Sequence, residues 1–329
     1  MPTESTSLVI PGRNVERTIR QCLDAAIPYL TDGRLKEIIF VDDGSSDGTL
    51  DIASAYPVSV VAAGGLGPGG ARNVGWRASS GTTVWFMDAD CVARRGALEV
   101  LQDHLRDPAV GGAGGSYANE VPHSLLATLI HEEIIERHRR MPERVGYLAT
   151  YNVLYRREVL EQLDGFDETK FNARGKPGAE DIDFAYRAAS AGWELRFDPR
   201  SVVGHHHPTR LLPYLRTQRN HGFWRVALHL QHRRQGAGDD YSGIVDHLQP
   251  VVAVAAALAT ALAFVGVPRV VPALLWGSLL ALQLPMTARL IRRMPSLQAL
   301  TYLPLGSLRA LWRGLGMTAA LLRQTVPSR

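Results

Sequence analysis

Two apolar runs that end in closely spaced aspartates constrain the fold of this chain more than any other feature of its sequence. The run LKEIIFV precedes Asp42 and Asp43, and the run TTVWFM precedes Asp88 and Asp90. Both runs are short and contain β-branched and aromatic residues, which favour strands. A strand that stops at two carboxylates either leaves the core into a solvated turn, because turns favour Asp, or supplies oxygen ligands for a cation.

Helical patterns lie between these runs. Residues 14–30 carry apolar side chains at helical spacing, and GPGGARNVGWRAS, residues 67–79, is a glycine-rich start of a second helix. Strands and helices that alternate in this way form a mostly parallel sheet with helices on both faces. Such an α/β sheet binds ligands at the carboxyl ends of its strands. Both pairs of aspartates therefore fall where a ligand site is expected.

The C-terminal region differs from the rest of the chain in charge. The net charge is +4, but residues 247–329 contain eight Arg, no Lys and no acidic residue, which leaves 28 basic and 32 acidic residues elsewhere. A mildly acidic body with a basic, apolar tail does not resemble a nucleic-acid-binding protein, whose folded body carries a basic patch. This distribution is typical of a soluble domain that is attached to an anionic membrane face.

Two apolar stretches in the tail predict a transmembrane helical hairpin. Residues 250–267 hold no charge and are about long enough to cross a bilayer as a helix. We predict helices at about 249–267 and 270–288, and the alternative is a buried hairpin of a soluble protein. A third stretch, 297–323, is interrupted by Arg309 and Arg313. It is either an amphipathic interfacial helix or a third crossing.

The expected location is the cell membrane, with more than one crossing and the N-terminal body in the cytoplasm. The arginines Arg289, Arg292 and Arg293 follow the second span, and basic residues favour the cytoplasmic side. We expect no signal peptide, because the N-terminus lacks a basic segment followed by an apolar one. Two cysteines, Cys22 and Cys91, are too few for a disulfide framework and fit a reducing compartment.

Five segments, taken in order, resemble glycosyltransferase family 2. They are VIPGRN, VDDGSSDGT, GARNVGWRASSG with FMDAD, YNVLYRREVLEQLDGFDE, and GAEDIDFAYRAASAGWELRFDP. The resemblance covers roughly residues 6–225 and implies the glycosyltransferase-A fold, a Rossmann-like mixed sheet. It also implies a nucleotide-diphospho-sugar donor, a divalent cation (Mg²⁺ or Mn²⁺) and inversion at the anomeric carbon. We therefore predict a catalytic domain at 1–230, a linker at 231–248 and a membrane region at 249–329.

The resemblance assigns donor and metal roles to residues at the strand ends. Asp90 is the expected direct metal ligand, with Asp88 contacting the sugar or reaching the metal through water. His205, in VVGHHHPT, is the expected second metal ligand, although a polar loop with stray histidines is the alternative. One of Asp42 and Asp43 is expected to read the nucleotide while the other caps the next helix. The remaining donor-binding candidates are Pro11, Asn14, Arg72 and Asn73.

The resemblance makes Asp181 the general base for the acceptor hydroxyl. Acidic residues in a first helical turn are also expected from the helix dipole alone, so a structural role stays open. Glu180 is expected to position the acceptor or the helix, and Asn152 to contact the acceptor sugar.

These features together predict a metal-dependent inverting glycosyltransferase that acts on a membrane-proximal acceptor, either lipid-linked or a glycan, as in cell-envelope polysaccharide or glycolipid synthesis. TQRNHGFWR offers Gln218 and Trp224, but not at the Q-x-x-R-W spacing of processive synthases, so we expect non-processive transfer. The alternatives are a nucleotidyltransferase and a non-catalytic membrane protein that binds a sugar nucleotide. We expect no nucleic-acid partner.

Overall fold

A computed structural model describes residues 5–171, 178–232, 240–294 and 297–325 of this chain. The chain divides into two compact units. The first, which we call the sheet unit, comprises Met1–Glu120 and Met141–His206. The second, the helical unit, comprises Val121–Arg140 and His207–Arg329.

The sheet unit is built on one mixed sheet. Its nine strands are β1 (Thr6–Gly12), β2 (Glu37–Asp42), β3 (Ser59–Ala62), β4 (Thr83–Met87), β5 (Cys91–Ala93), β6 (Val110–Asn119), β7 (Arg144–Val145), β8 (Asn152–Arg156) and β9 (Glu194–His205). The strand order is β3-β2-β1-β4-β8-β6-β9-β5, and β7 pairs with β9.

The first four strands in this order run parallel, so their carboxyl ends share one edge. Gly12 of β1 pairs with Asp42 of β2, and β1 also pairs in parallel with β4. Beyond β4 the sheet becomes mixed, because β8 runs antiparallel to both β4 and β6. The predicted mixed sheet is therefore confirmed, and Asp42, Asp43 and Asp88 all follow parallel strands at the same edge.

Helices cover both faces of this sheet. They are α1 (Ile19–Thr31), α2 (Thr49–Ser54), α3 (Gly67–Ala78), α4 (Ala97–His104), α6 (Arg157–Gln162) and α7 (Glu180–Ser190), with α5 (Leu125–His138) belonging to the helical unit. One core cluster includes Leu8, Ile10 and Trp85, and the other includes Val9, Val41 and Phe86. Side chains that alternate along each strand thus fill the core on opposite faces.

A close approach of α3 to the sheet depends on one glycine. A Cβ at Gly75 would lie 2.3 Å from a methyl carbon of Val9 and 2.9 Å from one of Val41. Such distances are below van der Waals contact, so only glycine lets α3 pack this near to β1 and β2. This packing fixes the position of Arg72, one turn earlier on the helix.

The helical unit contains α5 and the C-terminal helices α8 (Leu211–Gln231), α9 (Ile244–Leu262), α10 (Val270–Arg293) and α11 (Tyr302–Thr325), with a short 3₁₀ helix at Leu297–Thr301. The predicted hairpin is present as α9 and α10. The first helix begins and ends about five residues earlier than predicted, and the second extends five residues further. The third apolar stretch is helical as well.

The predicted linker, 231–248, is corrected in part. Residues 233–239 lie outside the described residues, but the last part of the segment is already helical from Ile244. The reason is a cap that the apolar pattern does not reveal. The backbone N–H of Gly243 donates to Asp246 at 3.0 Å, and Asp246 also accepts two hydrogen bonds from Arg137 of α5.

Helices α9 and α10 are long and apolar enough to cross a membrane, by length and composition. Most of their apolar side chains are exposed, including Leu258, Phe264 near the turn between them, and Leu274. The core helices of a soluble protein are mostly buried, whereas 22% of the apolar window in each of these two helices is buried.

Candidate active site

The aspartates that follow β4 meet a histidine from a distant part of the chain. Asp88 and Asp90 flank the turn between β4 and β5, and β5 pairs antiparallel with the end of β9, where Cys91 is opposite His205. This pairing brings His205 Nε2 within 3.5 Å of Asp90 Oδ2. The two predicted metal ligands, 115 residues apart in the chain, are therefore neighbours.

Charge complementarity links Asp90 and His205. Burial opposes ionisation of both groups, but the imidazolium of His205 outweighs this effect and lowers the pKa of Asp90. In the same way, the carboxylate of Asp90 outweighs the burial of His205 and raises the pKa of this histidine. The side chain of Asp90 is 41% exposed, so solvent screens the pair. A divalent cation at this position would displace the proton from His205.

Cys91 contributes a third potential ligand atom to the same cluster. The ligand atoms of Asp90, Cys91 and His205 lie within 4.8 Å of one another. Burial, together with the charges of Asp90 and Asp88, raises the pKa of the Cys91 thiol. A protonated thiol is not a ligand for Mg²⁺ or Mn²⁺, which prefer oxygen and imidazole nitrogen. The donor set that fits such a cation is therefore Asp90 and His205.

The two aspartates after β2 have different surroundings. Asp42 accepts hydrogen bonds from the backbone N–H groups of Gly44 and Ser45 at 3.1–3.2 Å, which closes the turn. Asp43 accepts from the N–H of Gly67 at 2.9 Å through Oδ2, whereas its buried Oδ1 lacks a partner among the described residues. Gly67 has φ +83°, which favours glycine at this position. Asp42 thus shapes the turn, and Asp43 keeps an acceptor oxygen for a ligand.

Arg72 of α3 connects the end of β4 to the start of α7. One guanidinium nitrogen donates to Asp88 Oδ1 at 2.9 Å and the other donates to Glu180 Oε1 at 2.8 Å. The side chains of Arg72 and Glu180 are only 6% and 7% exposed, while that of Asp88 is 35% exposed. Glu180 Oε2 also accepts from the N–H of Gly178 at 3.2 Å. These contacts hold Glu180 between α3 and the backbone of Gly178, two residues before α7.

Asp181 follows Glu180 in the first turn of α7. Burial and the neighbouring charge of Glu180 raise the pKa of Asp181 to about 7, while Arg72 opposes this shift. Its Oδ1 accepts a hydrogen bond from the N–H of Ile182 at 2.8 Å. A carboxylate with a pKa close to neutrality matches the requirement for a general base, which must take up a proton during the reaction and release it afterwards.

Several predicted ligand-binding residues serve the frame instead. Asn73 contacts Trp76, Glu168 and the backbone of Phe166, so its amide is fully engaged between α3 and the turn after α6. Asn152 is fully buried between Trp85 and Ser201, and its amide is occupied by both; this is a correction of the predicted acceptor contact.

Pro11 and Asn14, the two candidates near the end of β1, also make structural contacts. Asn14, with φ +55°, accepts from the N–H of Ser46 at 2.8 Å and its own N–H donates to Ser45, so it holds the turn after β2. Pro11 is buried in β1, paired with Val41. Both residues shape the loop beside Asp42 and Asp43.

The three consecutive histidines have three different partners. His205 faces Asp90, His206 Nε2 lies 2.9 Å from Gln21 Oε1, and within the helical unit His207 lies 3.3 Å from His131. This agrees with the expectation that neighbouring side chains diverge in an extended segment.

Sequence reasoning missed Tyr117 and Tyr151. Their rings stack at 3.7 Å between centroids, and the Tyr117 ring lies 4.7 Å from that of His205. Tyr117 lies outside the segments that resemble the family, and Tyr151 begins one of them but was not singled out. Only the pairing of β6 with β9, which sets Ala118 opposite Gly204, brings Tyr117 to this point.

Comparison with known proteins agrees with this geometry. Residues 7–164 match the model of the family described as "Glycosyl transferase family 2". A pre-mycofactocin glycosyltransferase of Mycobacterium tuberculosis is 30% identical over 244 residues, which cover 69% of this chain and 48% of that protein. The chain thus spans about half the length of this relative.

Two solved structures share the fold. A mannosyltransferase from Pyrobaculum calidifontis, in complex with GDP-Man and Mn²⁺, superposes with a TM-score of 0.64 at 20% identity, over 97% of this chain and 87% of its own. Glucosyl-3-phosphoglycerate synthase from Mycobacterium tuberculosis, in complex with Mn²⁺ and UDP-glucose, gives a TM-score of 0.50 at 20% identity, over 69% and 78%.

Proposed function

Because residues 7–164 of this chain form a glycosyl transferase family 2 domain with the glycosyltransferase-A fold, we propose that it transfers a sugar from a nucleotide-diphospho-sugar to a hydroxyl or phosphate of an acceptor, with inversion. Both solved neighbours named above hold Mn²⁺ and a nucleotide sugar, and we extend that class of donor to this chain. The rest of the proposal rests on the chain's own residues.

One observation carries the proposal: Arg72 joins a carboxylate at the end of β4 to the first turn of α7, the helix that carries the proposed base. Asp90 pairs with His205, and Asp88 is joined through Arg72 to Glu180, the residue before Asp181. A solvated turn does not require a buried arginine between its aspartate and a second carboxylate from another element. A site that holds a donor next to a base needs its elements at fixed distances, and such a bridge provides this.

We propose that Asp90 and His205 hold a divalent cation, Mg²⁺ or Mn²⁺. Their carboxylate oxygen and imidazole nitrogen fit either ion, and the exposure of Asp90 leaves room for phosphate oxygens. When bound, the cation would stabilise the negative charge of the departing diphosphate. Asp43, whose Oδ1 lacks a partner among the described residues, is the proposed acceptor for an N–H or hydroxyl of the nucleoside.

Asp181 is the proposed general base. It takes the proton from the acceptor hydroxyl while the acceptor oxygen forms a bond to the anomeric carbon and the bond to the diphosphate oxygen breaks. The single displacement inverts the anomeric centre and leaves no sugar–enzyme bond. Its raised pKa, about 7, supports this role.

The proposed location is the cell membrane, with α9 and α10 as spans and the family 2 domain in the cytoplasm. At the C-terminal end of α10, Arg293 and Arg289 form ion pairs with Glu132 and Glu136 of α5. Asp246 near the start of α9 also pairs with α5, through Arg137. Both ends of the hairpin are thus fixed to one polar helix, which supports a hairpin that enters and leaves on the same side.

The membrane location favours a lipid-linked or membrane-proximal acceptor, which we include in the proposal. The proposed domain organisation is a catalytic region at 1–230 followed by the membrane region from 249. We also propose non-processive transfer. Gln218 accepts from Arg313 at 2.8 Å within the helical unit, so this glutamine is engaged in packing between α8 and α11.

The test is a screen of nucleotide sugars with purified protein and Mg²⁺ or Mn²⁺, with release of nucleoside diphosphate as the measurement. We expect release with one donor class, and its abolition in Asp90→Ala. Arg77→Gln on the exposed face of α3 is the control and should behave as the wild type. Equal release by Asp90→Ala and wild type would contradict the proposal. Binding of a sugar nucleotide without turnover would favour the non-catalytic alternative. Release of pyrophosphate from a nucleoside triphosphate and a sugar 1-phosphate, supplied in a separate assay, would favour the nucleotidyltransferase.

A further inference from the structure

Arg72 has the wrong surroundings for a phosphate ligand. Both terminal nitrogens of its guanidinium are engaged, one by Asp88 and one by Glu180, at 2.9 and 2.8 Å. The third nitrogen, Nε, is buried and has no partner among the described residues. Two of the five N–H groups of this guanidinium are thus committed to carboxylates, and the side chain is only 6% exposed, which leaves a donor phosphate little access to its charged end.

The geometry around Arg72 instead joins three elements that carry the chemistry. Arg72 lies on α3, Asp88 follows β4, and Glu180 begins α7. The approach of α3 to Glu180 is tight, because a Cβ at Gly69 would lie 3.0 Å from Glu180 Cγ. Arg187, further along α7, donates to the carbonyls of Leu163 and Gly165 in the turn that Asn73 of α3 also holds.

We propose that Arg72 is a positioning residue that couples the donor carboxylate Asp88 to the helix carrying the base Asp181. This inference deepens the proposed function and rests on it for the roles of Asp88 and Asp181. The bridge keeps one oxygen of Asp88 engaged and the other directed to the ligand, and it sets the start of α7 at a fixed distance from that ligand. Lysine cannot replace it, because one ammonium group lacks the planar fork that spans two carboxylates.

The bridge has an electrostatic consequence that supports the proposal. Burial is the largest cause of the raised pKa of Asp181; the charges of Glu180 and Asp88 raise it too, and the cation Arg72 lowers it. Removing the guanidinium therefore raises the pKa of Asp181 further.

The experiment compares Arg72→Lys and Glu180→Gln with the control Arg77→Lys. Arg77 lies on the same helix, and its ion pairs with Asp164 and Glu168 are partly exposed. We expect kcat to fall about 10- to 100-fold in both test variants with donor KM changed less than about threefold, as for loss of positioning. The acid limb of the kcat/KM profile should move to higher pH in Arg72→Met, which removes the positive charge, and less in Arg72→Lys, which keeps it. If Arg72 binds a donor phosphate instead, donor KM should rise in Arg72→Lys, and Glu180→Gln should have little effect on kcat or KM.

A double-mutant cycle tests the bridge without turnover. The unfolding free energies of Arg72→Met, Glu180→Gln and the double variant should be non-additive, because the residues are in contact. Additive values, or a KM-dominated defect, would overturn the inference. Non-additive unfolding in a chain that transfers no sugar would instead keep the bridge and remove the proposed function. Glu180→Gln preserves side-chain shape, so it supplies the kinetic result if Arg72→Lys fails to fold.

Discussion

Buried arginines lie between carboxylates in both units of this chain, and the two arrangements differ in what they leave unpaired. In the sheet unit, Arg72 lies between Asp88 and Glu180, its Nε lacks a partner among the described residues, and Asp181 stands beside it with a raised pKa. In the helical unit, Glu133 accepts from both Arg137 and Arg309. Arg137 also pairs with Asp246, and Arg309 also donates to the hydroxyl of Tyr302.

The electrostatic outcome is opposite in the two places. Burial raises the pKa of Glu133, but the two arginines outweigh burial and lower it to about 2. At Asp181, burial and Glu180 outweigh the one arginine. Glu133, which is paired with two arginines, stays ionised and stabilises the fold. Asp181, which is next to another carboxylate, can bind a proton near neutral pH. The balance of charge around a buried group thus separates a folding role from a chemical one.

The largest effect is expected at Asp181. Asp181→Asn removes the proposed base while keeping the size of the side chain, so transfer should fall about 10²- to 10⁴-fold. Donor binding, measured by calorimetry with Mn²⁺, should stay within about threefold of wild type. Undiminished transfer would exclude Asp181 as the base.

Asp181→Asn, which should lower transfer, should raise the stability of the folded chain at alkaline pH. The pKa of Asp181 is higher in the folded chain than its ordinary value of 3.8, so the folded state binds the proton more tightly. Its contribution to stability is present below pH 3.8 and is lost as the pH rises through about 7. Thermal unfolding of Asp181→Asn at pH 8 should therefore occur at a higher temperature than that of wild type.

The second prediction concerns the ion pairs that Glu133 forms with Arg137 and Arg309 in the helical unit. Glu133→Ala leaves the guanidinium groups of Arg137 and Arg309 buried with reduced compensation, which should cost about 3–5 kcal/mol of unfolding free energy. Denaturant unfolding in detergent measures it. Adding Arg309→Met should recover part of the loss, because an apolar pair replaces the uncompensated charge. Full activity per folded molecule in Glu133→Ala would confirm that this network is structural.

The third prediction is a pH dependence. Since Asp181 must be ionised to accept a proton, kcat/KM should fall about tenfold per pH unit below its pKa of about 7. Glu133→Gln should keep the same profile, because that carboxyl belongs to the other unit. A profile that is flat between pH 5 and 8 would contradict the assignment of the base.

Much of the sheet unit was predictable from sequence, because strand and helix patterns are local. The parallel part of the sheet and the positions of Asp42, Asp43, Asp88 and Asp181 at element ends follow from short-range alternation and turn residues, whereas the mixed sheet was expected only from the family resemblance. The contacts between residues far apart in the chain were not predictable. Asp90 and His205 meet only through the pairing of β5 with β9, and Asn73 and Asn152 are engaged by residues far away in the chain.

In the helical unit, too, the sequence predicts the helices but not the contacts between them. Hydropathy indicates where α9, α10 and α11 lie, but the arginines that interrupt the third stretch gave two alternatives. Arg309 is buried and paired with Glu133 of α5. Nothing in the local pattern of either helix identifies a partner 176 residues away. The number of apolar residues in a helix therefore does not determine what surrounds it.

The smallest effect is expected where an ion pair of the helical unit is partly exposed. Arg289 Nε lies 3.7 Å from Glu136 Oε1, and the arginine side chain is 37% exposed. Because solvent and salt screen such a pair, Arg289→Gln should lower the unfolding free energy by no more than about 1 kcal/mol. Arg309→Gln, measured under the same conditions, should cost several times more, since it leaves Glu133 with one arginine in a buried site. Equal losses in the two variants would show that burial does not set the strength of the ion pairs in the helical unit.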